Sequence, residues 1–184
     1  MALLTRDDAH ALLLQHMQDE GLLRHCYAVE AGMKAMATHL GHDENVWRIT
    51  GLLHDIDYQE HPSTHPTEGV ALLRKLALPD DLVHAVSAHA ETLGVPKQSP
   101  LDWALTGVDE VTGLIMATAL VKPNKTLAEV EARSVRKKMK DKAFARAVSR
   151  EGIVASSQAL GMELEPFIDV VLKGMQEVHA TLGL

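Results

Sequence analysis

The chain has 184 residues, of which 46% are hydrophobic and 3% aromatic, and its formal net charge at pH 7 is −7. This composition excludes a disordered chain, and the acidic balance argues against a protein that coats nucleic acid through clustered Lys and Arg. The single cysteine, Cys26, excludes an internal disulfide. No apolar run approaches the roughly 20 residues of a membrane span, and no cleavable signal pattern opens the chain. We therefore expect a cytoplasmic protein with no membrane partner.

The first half of the chain is predicted to form helices that are separated by short polar turns. A plausible cap begins a first helix over residues 5–18, and a second helix over 22–40 is ended by Gly41. Apolar residues recur at helical spacing in the second helix. A third helix is expected over 44–54, after which the polar segment 56–64 breaks the pattern.

The second half is predicted to be helical as well. Three helices are expected over residues 66–76, 79–93 and 101–121, and the last of them is strongly apolar. After a turn at 122–125, the remainder is expected to form two or three helices, of which the last spans 165–182.

No segment alternates polar and apolar residues for long enough to predict a strand. Leu, Ala, Val and Met must fill a core that has few aromatic residues, and Ala and Leu favour helices. The prediction is therefore a single all-α domain over residues 1–184. Within it we expect a functional core at about 22–121 and a C-terminal helical extension at about 122–184.

Four polar side chains stand out because the helices around them are otherwise apolar. His25 lies inside the second helix, His54 and Asp55 follow the apolar residues 51–53, and Asp109 interrupts the apolar helix of the second half. A buried carboxylate is costly unless a cation compensates it, and divalent metals use imidazole and carboxylate ligands together. If the third helix ends at His54 and Asp55, both side chains can reach one metal from its last turn.

The order of these residues resembles the HD superfamily of metal-dependent phosphohydrolases. An HD dipeptide alone carries little information, but the ordered set does, and the resemblance covers roughly residues 22–121. Its further members are Leu52-Leu53 and Ile56 around the dipeptide, His65-Pro66 with Gly69, and His89 with Glu91. The resemblance implies an HD-type helical bundle with four metal ligands, namely His25, His54, Asp55 and Asp109.

By the same resemblance, His65 and His89 match histidines that bind a second metal or a substrate phosphate in other members. For His65 the alternative is a helix cap, and for His89 it is a half-buried helix residue. Asp57 stands where the HDIG subgroup has glycine, and it flanks the dipeptide together with His61, so that either could touch substrate or transfer a proton. Ala90 stands where HD-GYP phosphodiesterases have a second histidine, which argues against cleavage of cyclic di-GMP and leaves a second metal short of ligands.

Basic residues are concentrated in one segment of this acidic chain. Eight Lys and Arg residues lie within 133–150, and such a run is usually a solvated helix face. Alternatively, a few of these cations, with Lys122 or Lys125, hold a substrate phosphate. Our first choices for substrate binding are Lys137 and Lys138, together with Lys122.

The expected activity is metal-dependent hydrolysis of a small phosphate ester, either a mono- or a diester, of a nucleotide or related metabolite. The nitrogen and oxygen ligands suit a divalent ion of Mn, Fe, Co, Ni or Zn. Whether a second metal binds is left open. Asp55 or Asp109 is expected to hold the attacking water, while His65, His89 or a lysine neutralises charge on the phosphoryl oxygens. No nucleic-acid polymer is expected as a partner, and the oligomeric state is open. Two alternatives are an HD-type di-iron oxygenase, which Ala90 disfavours, and a binding domain without turnover.

Overall fold

The structure, a computed structural model, describes residues 4–184, and over these residues the chain forms helices and no strand. The helices are α1 (Arg6–His16), α2 (Glu20–Leu40), α3 (Glu44–Leu53), α4 (Thr67–Lys75), α5 (Asp80–His89), α6 (Pro100–Leu120), α7 (Ala132–Lys138), α8 (Arg150–Ala159), α9 (Leu164–Glu177) and α10 (His179–Leu182). The predicted all-α fold class is confirmed. None of these helices combines the length and the apolar character needed to cross a bilayer.

Side-chain caps fix where the helices that carry the site begin. The carboxylates of Asp19 and Asp43 accept hydrogen bonds from backbone N–H groups in the first turns of α2 and α3. At the start of α6, Ser99 and Asp102 form a reciprocal capping box. These contacts satisfy donors that have no partner within the helix. At its other end, α2 stops at Gly41, which takes the left-handed conformation with φ 74°.

The longest helices meet in the centre of the bundle. α2 packs against α3, α6 and α9, while α6 also packs against α5, α7 and α8. The buried side chains between them are mostly aliphatic, and Phe167 is the largest that is fully buried. Because α2, α3 and α6 all contact one another, polar residues on their facing surfaces become neighbours.

The backbones of α2 and α3 approach closely at Gly51. A Cβ atom on residue 51 would lie 2.9 Å from Met33 Cγ and 2.9 Å from the carbonyl oxygen of Val29. Atoms this close would overlap, so glycine is what permits the approach. The same stretch leads directly into His54, which thereby comes to lie beside His25.

Three predicted features of the helices were wrong. The helix predicted over 79–93 ends at His89, because Ala90 takes an extended conformation with φ −98° and ψ 139°. The helix predicted over 165–182 is interrupted at Val178, which separates α9 from α10. Four helices, α7 to α10, therefore occupy the C-terminal extension, where two or three were expected.

Candidate metal centre

Donor atoms from three helices converge on one point. His25 Nε2 of α2 lies 3.0 Å from Asp109 Oδ1 of α6 and 3.3 Å from His54 Nε2 at the end of α3. Oxygens of Asp55 lie 3.4 Å from His54 Nε2 and 3.7 Å from His25 Nε2. Ligands that bind one metal at about 2.0–2.2 Å stand about 3.0–3.5 Å apart at tetrahedral or octahedral angles. The spacing of the four predicted ligands fits a single coordination shell.

The orientation of the imidazoles also fits a cation. His54 donates its Nδ1–H to the carbonyl of Gly51 at 2.8 Å, and His89 donates its Nδ1–H to the carbonyl of Val86 at 2.7 Å. A neutral imidazole that is protonated on Nδ1 carries its lone pair on Nε2. In their neutral, metal-binding form both rings therefore direct a lone pair toward the other donor atoms, as metal-binding histidines do.

A second group of donor atoms lies beside the first. Asp55 Oδ1 lies 3.2 Å from His65 Nε2 and 3.6 Å from His89 Nε2, and the two nitrogens are 3.1 Å apart. Two neutral nitrogens that present lone pairs to each other cannot form a hydrogen bond. The contact becomes favourable when both share a cation or a proton. Asp55 belongs to both groups and is placed to bridge them.

The charges of the cluster also favour a cation. Burial alone would lower the pKa of His54, but Asp55 and Asp109 outweigh it and raise that pKa to about 9. Burial would raise the pKa of the Asp55 and Asp109 carboxyls, but neighbouring imidazoles outweigh it. The pKa of Asp55 is held below its usual range mainly by His54 and His89. The pKa of Asp109 is held below its usual range mainly by His25 and His54. Both carboxylates are therefore ionised at neutral pH.

The cluster opens into a cavity of about 850 Å³. Among the lining residues that the structure describes, Lys97 is the single lysine or arginine, and its Nζ lies 5.6 Å from the ring centroid of Trp103. The wall also carries four carboxylates, from Asp55, Asp109, Glu110 and Glu151. Lys97 and Trp103 were not predicted, because a single lysine in a loop gives no periodic signal and the tryptophan fitted an ordinary apolar helix.

The lysines that were predicted to bind substrate line no part of this cavity; they are Lys122, Lys137 and Lys138. Lys138 Nζ instead lies 4.4 Å from the ring centroid of Phe144. Other cations of the basic segment are engaged elsewhere: Arg136 pairs with Glu165 at 3.1 Å, and Arg150 donates to four preceding backbone carbonyls. Residues 147–149 of the segment line the cavity, but the lysines and arginines of the segment do not.

Of the two loop residues that flank the dipeptide, Asp57 reaches the site through His65. Asp57 Oδ1 accepts the Nδ1–H of His65 at 2.7 Å, and its Oδ2 accepts the N–H of Gly69 at 2.8 Å. His61 is exposed. The alternative role of His65 as a helix cap is wrong, because Pro66 holds the capping position of α4 and no side chain makes a capping hydrogen bond there.

Comparisons with known proteins agree with the motif. A family model described as an HD domain matches residues 22–114. Curated relatives named Ribonuclease Y are similar to part of the chain. The one from Alkaliphilus metalliredigens is 38% identical over 73 residues, which cover 38% of this chain and 15% of the relative. The one from Lactobacillus gasseri is 34% identical over 96 residues (50% of this chain, 17% of the relative), and the one from Oleidesulfovibrio alaskensis is 32% identical over 97 residues (51% of this chain, 18% of the relative). The chain thus spans less than a fifth of the length of these relatives. No solved structure gives a significant match.

Proposed function

Because the chain belongs to the HD domain family, a superfamily of metal-dependent phosphohydrolases, we propose that it hydrolyses the phosphate ester of a small molecule, with nucleotides as the first class to test. The observation that carries the proposal is the convergence of four ligand side chains, whose neighbouring donor atoms lie 3.0 to 3.7 Å apart. These residues are His25, His54, Asp55 and Asp109.

Two imidazoles and two carboxylates suit Mn²⁺, Fe²⁺, Co²⁺, Ni²⁺ or Zn²⁺. When bound, such a metal lowers the pKa of a coordinated water and polarises a phosphoryl oxygen. Asp55, His65 and His89 form a smaller set of donors for a second, weaker cation. Ala90, next to His89, adds no ligand to that set.

Residues around the metal would share the work of orienting the water and neutralising charge. The carboxylate of Asp55, ionised at neutral pH, accepts a hydrogen bond from the attacking water and orients it. His65 and His89 lie on the other side of Asp55, and a second cation held by their Nε2 atoms would supply positive charge next to the phosphoryl oxygens. Lys97 reaches the substrate phosphate from the cavity wall, and Trp103 offers a flat surface on which a nucleobase stacks.

The charge of the cavity supports a small anionic substrate that binds together with metal. Four carboxylates and one lysine line the wall, so a phosphate would be repelled unless cations bind first. A polymer of phosphodiesters, by contrast, is held by many Lys and Arg contacts along its backbone. The described part of the cavity wall offers one such residue, Lys97.

A second candidate substrate is RNA, which the names of the relatives favour. The similar proteins are called ribonucleases, and the similarity to those named above covers between 38% and 51% of this chain. A phosphodiester of RNA and a small phosphate ester place the same demands on the metal and the water. The two candidates differ in what holds the rest of the substrate, and this is what an experiment can separate.

The test uses the full chain, stripped of metal with a chelator and reloaded with Mn²⁺. Substrates are nucleoside monophosphates, other phosphomonoesters, small phosphodiesters and a short single-stranded RNA, with Asp55→Ala as the inactive control. We expect Mn²⁺-dependent turnover of a small ester. Turnover of RNA alone would establish the second candidate, and bound metal without turnover would indicate a binding domain. Bound iron with a mixed-valence spectrum would instead indicate an oxygenase and contradict the proposal.

A further inference from the structure

We propose that Asp57 is a positioning residue, which holds the imidazole of His65 in the one tautomer that can bind a cation together with Asp55 and His89. Asp57 is only 4% exposed, and both of its carboxylate oxygens are used, one by His65 Nδ1–H at 2.7 Å and one by Gly69 N–H at 2.8 Å. The inference rests on the metal centre of the proposed function and adds a residue to it.

The hydrogen bond sets the direction of the His65 lone pair. Because the proton lies on Nδ1, Nε2 is left unprotonated and lies 3.2 Å from Asp55 Oδ1 and 3.1 Å from His89 Nε2. The ring of Tyr58 packs edge-on against the imidazole, with centroids 5.2 Å apart and an interplanar angle of 77°. The orientation of His65 is therefore fixed by its neighbours before any ligand binds.

Asp57 itself is held in place by the start of α4. A Cβ atom on residue 69 would lie 3.0 Å from Asp57 Cγ and 3.2 Å from Ile56 Cγ2. Glycine at this position therefore lets the backbone of α4 come close enough to donate its N–H to the carboxylate. The glycine of the HD-like pattern and the aspartate that departs from it form one structural unit.

This unit matters because the second donor group is small. A carboxylate that accepts the Nδ1–H of a ligating histidine fixes its tautomer and makes Nε2 a stronger donor. In the described part of the chain, His54 and His89 give their Nδ1–H to neutral backbone carbonyls, whereas His65 gives it to a carboxylate. Ala90 supplies no ligand to the second donor group. The stronger binding of a cation by Nε2 of His65 compensates for part of this missing ligand.

The substitution Asp57→Asn separates this role from packing, because the two side chains have nearly the same shape. The amide has one acceptor atom where the carboxylate has two. If the amide oxygen keeps the N–H of Gly69, the NH₂ group faces His65 Nδ1 and drives the imidazole proton onto Nε2. If the oxygen turns to His65 instead, the NH₂ group opposes the N–H of Gly69. In both cases binding of the second cation weakens.

The first measurement is calorimetric titration of the metal-free full chain with Mn²⁺ at fixed pH. We expect one tight and one weaker site in the wild type, and a dissociation constant about 10- to 100-fold higher for the weaker site alone in Asp57→Asn. Asp102→Asn is a matched control, because Asp102 is also fully buried and accepts hydrogen bonds from His84 Nδ1 at 3.1 Å and from two backbone N–H groups. It should leave both sites unchanged.

The second measurement reads the tautomer directly from the imidazole ¹⁵N shifts of the metal-free protein, at a pH where His65 is neutral. We expect Nδ1 of His65 to be protonated in the wild type and Nε2 to be protonated in Asp57→Asn. If Asp57→Asn does not fold, Gly69→Ala displaces the carboxylate without changing its charge and should weaken the same site. In a His65→Ala background, Asp57→Asn should change nothing further.

The possible failures are distinct. No Mn²⁺ binding by the wild type would overturn the metal centre and the proposed function with it. A single Mn²⁺ site, or two sites that Asp57→Asn leaves unchanged, would overturn this inference alone. A loss of metal that persists in the His65→Ala background would show that Asp57 acts by packing and not by positioning His65.

Discussion

The imidazole of His25 and the carboxylate of Asp109 meet at 3.0 Å, measured from Nε2 to Oδ1. Each residue lies inside a 21-residue helix, α2 or α6, whose flanking turns are buried in the aliphatic core. The pair is therefore held by the packed bundle and not by loops. Donor atoms that rigid elements hold in place need little rearrangement to bind a cation.

Asp55→Ala should lose both metal and turnover while the protein stays folded. Asp55 belongs to both donor groups, so its removal takes an oxygen from each. Mutating residues that only support metal ligands already lowers metal affinity or activity about 10- to 100-fold. For removal of a ligand itself we therefore expect a larger loss in Mn²⁺ affinity and in kcat/KM. Metal content after gel filtration, a phosphatase assay and the helical circular dichroism spectrum measure this. Full metal occupancy with normal turnover would contradict the assignment.

His65→Ala and His89→Ala should each keep the tight metal and lose catalytic efficiency. Both residues contact Asp55, and His89 also packs its ring against His54. A donor atom of His89 lies within 4.8 Å of donor atoms of His54 and Asp109, so His89→Ala is the more demanding of the two tests. The measurement is Mn²⁺ stoichiometry alongside kcat/KM, with His61→Ala, an exposed loop histidine, as the control. Loss of the tight metal in either variant would show that the ligands are divided differently between the two groups.

The helices, and the cluster that His25, His54, Asp55 and Asp109 form, could be predicted because their signals are local. Gly41 ends α2 where its left-handed conformation was expected, and apolar periodicity located α2, α3 and α6. Asp109 stood out as a carboxylate in an apolar helix. The end of α5 at His89 gave no comparable signal, because alanine at position 90 is a good helix former and adopts an extended backbone only in its tertiary context.

The lysine that lines the cavity could not be predicted from the sequence, because tertiary contacts decide which charged side chains reach it. The density of Lys and Arg in residues 133–150 suggested a phosphate site, yet Arg150 is used by backbone carbonyls and Lys138 packs on Phe144. Lys97 stands alone in its loop and reaches the cavity only through the packing of that loop beside Trp103. Likewise, the partner of Asp57 depends on how α4 folds back.

The metal-free protein should lose stability as pH rises from about 6.5 to about 9. Burial lowers the pKa of His54, but Asp55 and Asp109 outweigh it and raise the pKa from 6.5 to about 9. The folded state thus binds this proton more tightly than the unfolded state, so the stabilisation is complete below pH 6.5 and is lost as pH passes 9. Its size is on the order of a few kcal/mol.

Metal should reverse this dependence, because a ligating His54 is neutral and the proton competes with the cation. Urea unfolding at pH 6, 7.5 and 9.5, in EDTA and in Mn²⁺, measures both effects, with buffer values chosen to bracket the transition at about 6.5 to 9. We expect the free energy of unfolding to fall with pH in EDTA and to be maintained or to rise in Mn²⁺. Parallel curves in the two conditions would contradict the role of His54.

Gly51→Ala should destabilise the fold and weaken the metal site. The added Cβ would lie 2.9 Å from the carbonyl oxygen of Val29, so α3 must shift away from α2 and carry His54 with it. We expect a loss of about 1–3 kcal/mol in the free energy of unfolding. Gly113→Ala, in the middle of α6, meets only Val148 Cγ2 at 3.4 Å and should gain about 0.5–1 kcal/mol. Thermal melts and Mn²⁺ titration compare the pair.

Kinetics at low and high salt should distinguish Lys97 from the lysines of the basic segment. Lys97→Met removes the charge but keeps an aliphatic stem over Trp103, so a rise in KM reports the lost contact with phosphate. We expect a rise of about 10-fold, which corresponds to one charge-assisted hydrogen bond of about 1.5 kcal/mol. Attraction between accessible charges is screened over about 8 Å at physiological ionic strength, so the effect of the substitution should shrink in high salt.

The matched comparison is Lys137→Ala and Lys138→Ala, which each remove one charge, and the double variant, which removes two. Neither lysine lines the cavity. These variants should keep the wild-type KM at both salt concentrations, because their side chains lie away from the metal centre and Lys138 is packed against Phe144. A raised, salt-sensitive KM in the double variant with no change in Lys97→Met would restore the basic segment as the phosphate-binding element. It would also require the side chains of Lys137 or Lys138 to move toward the cavity when substrate binds.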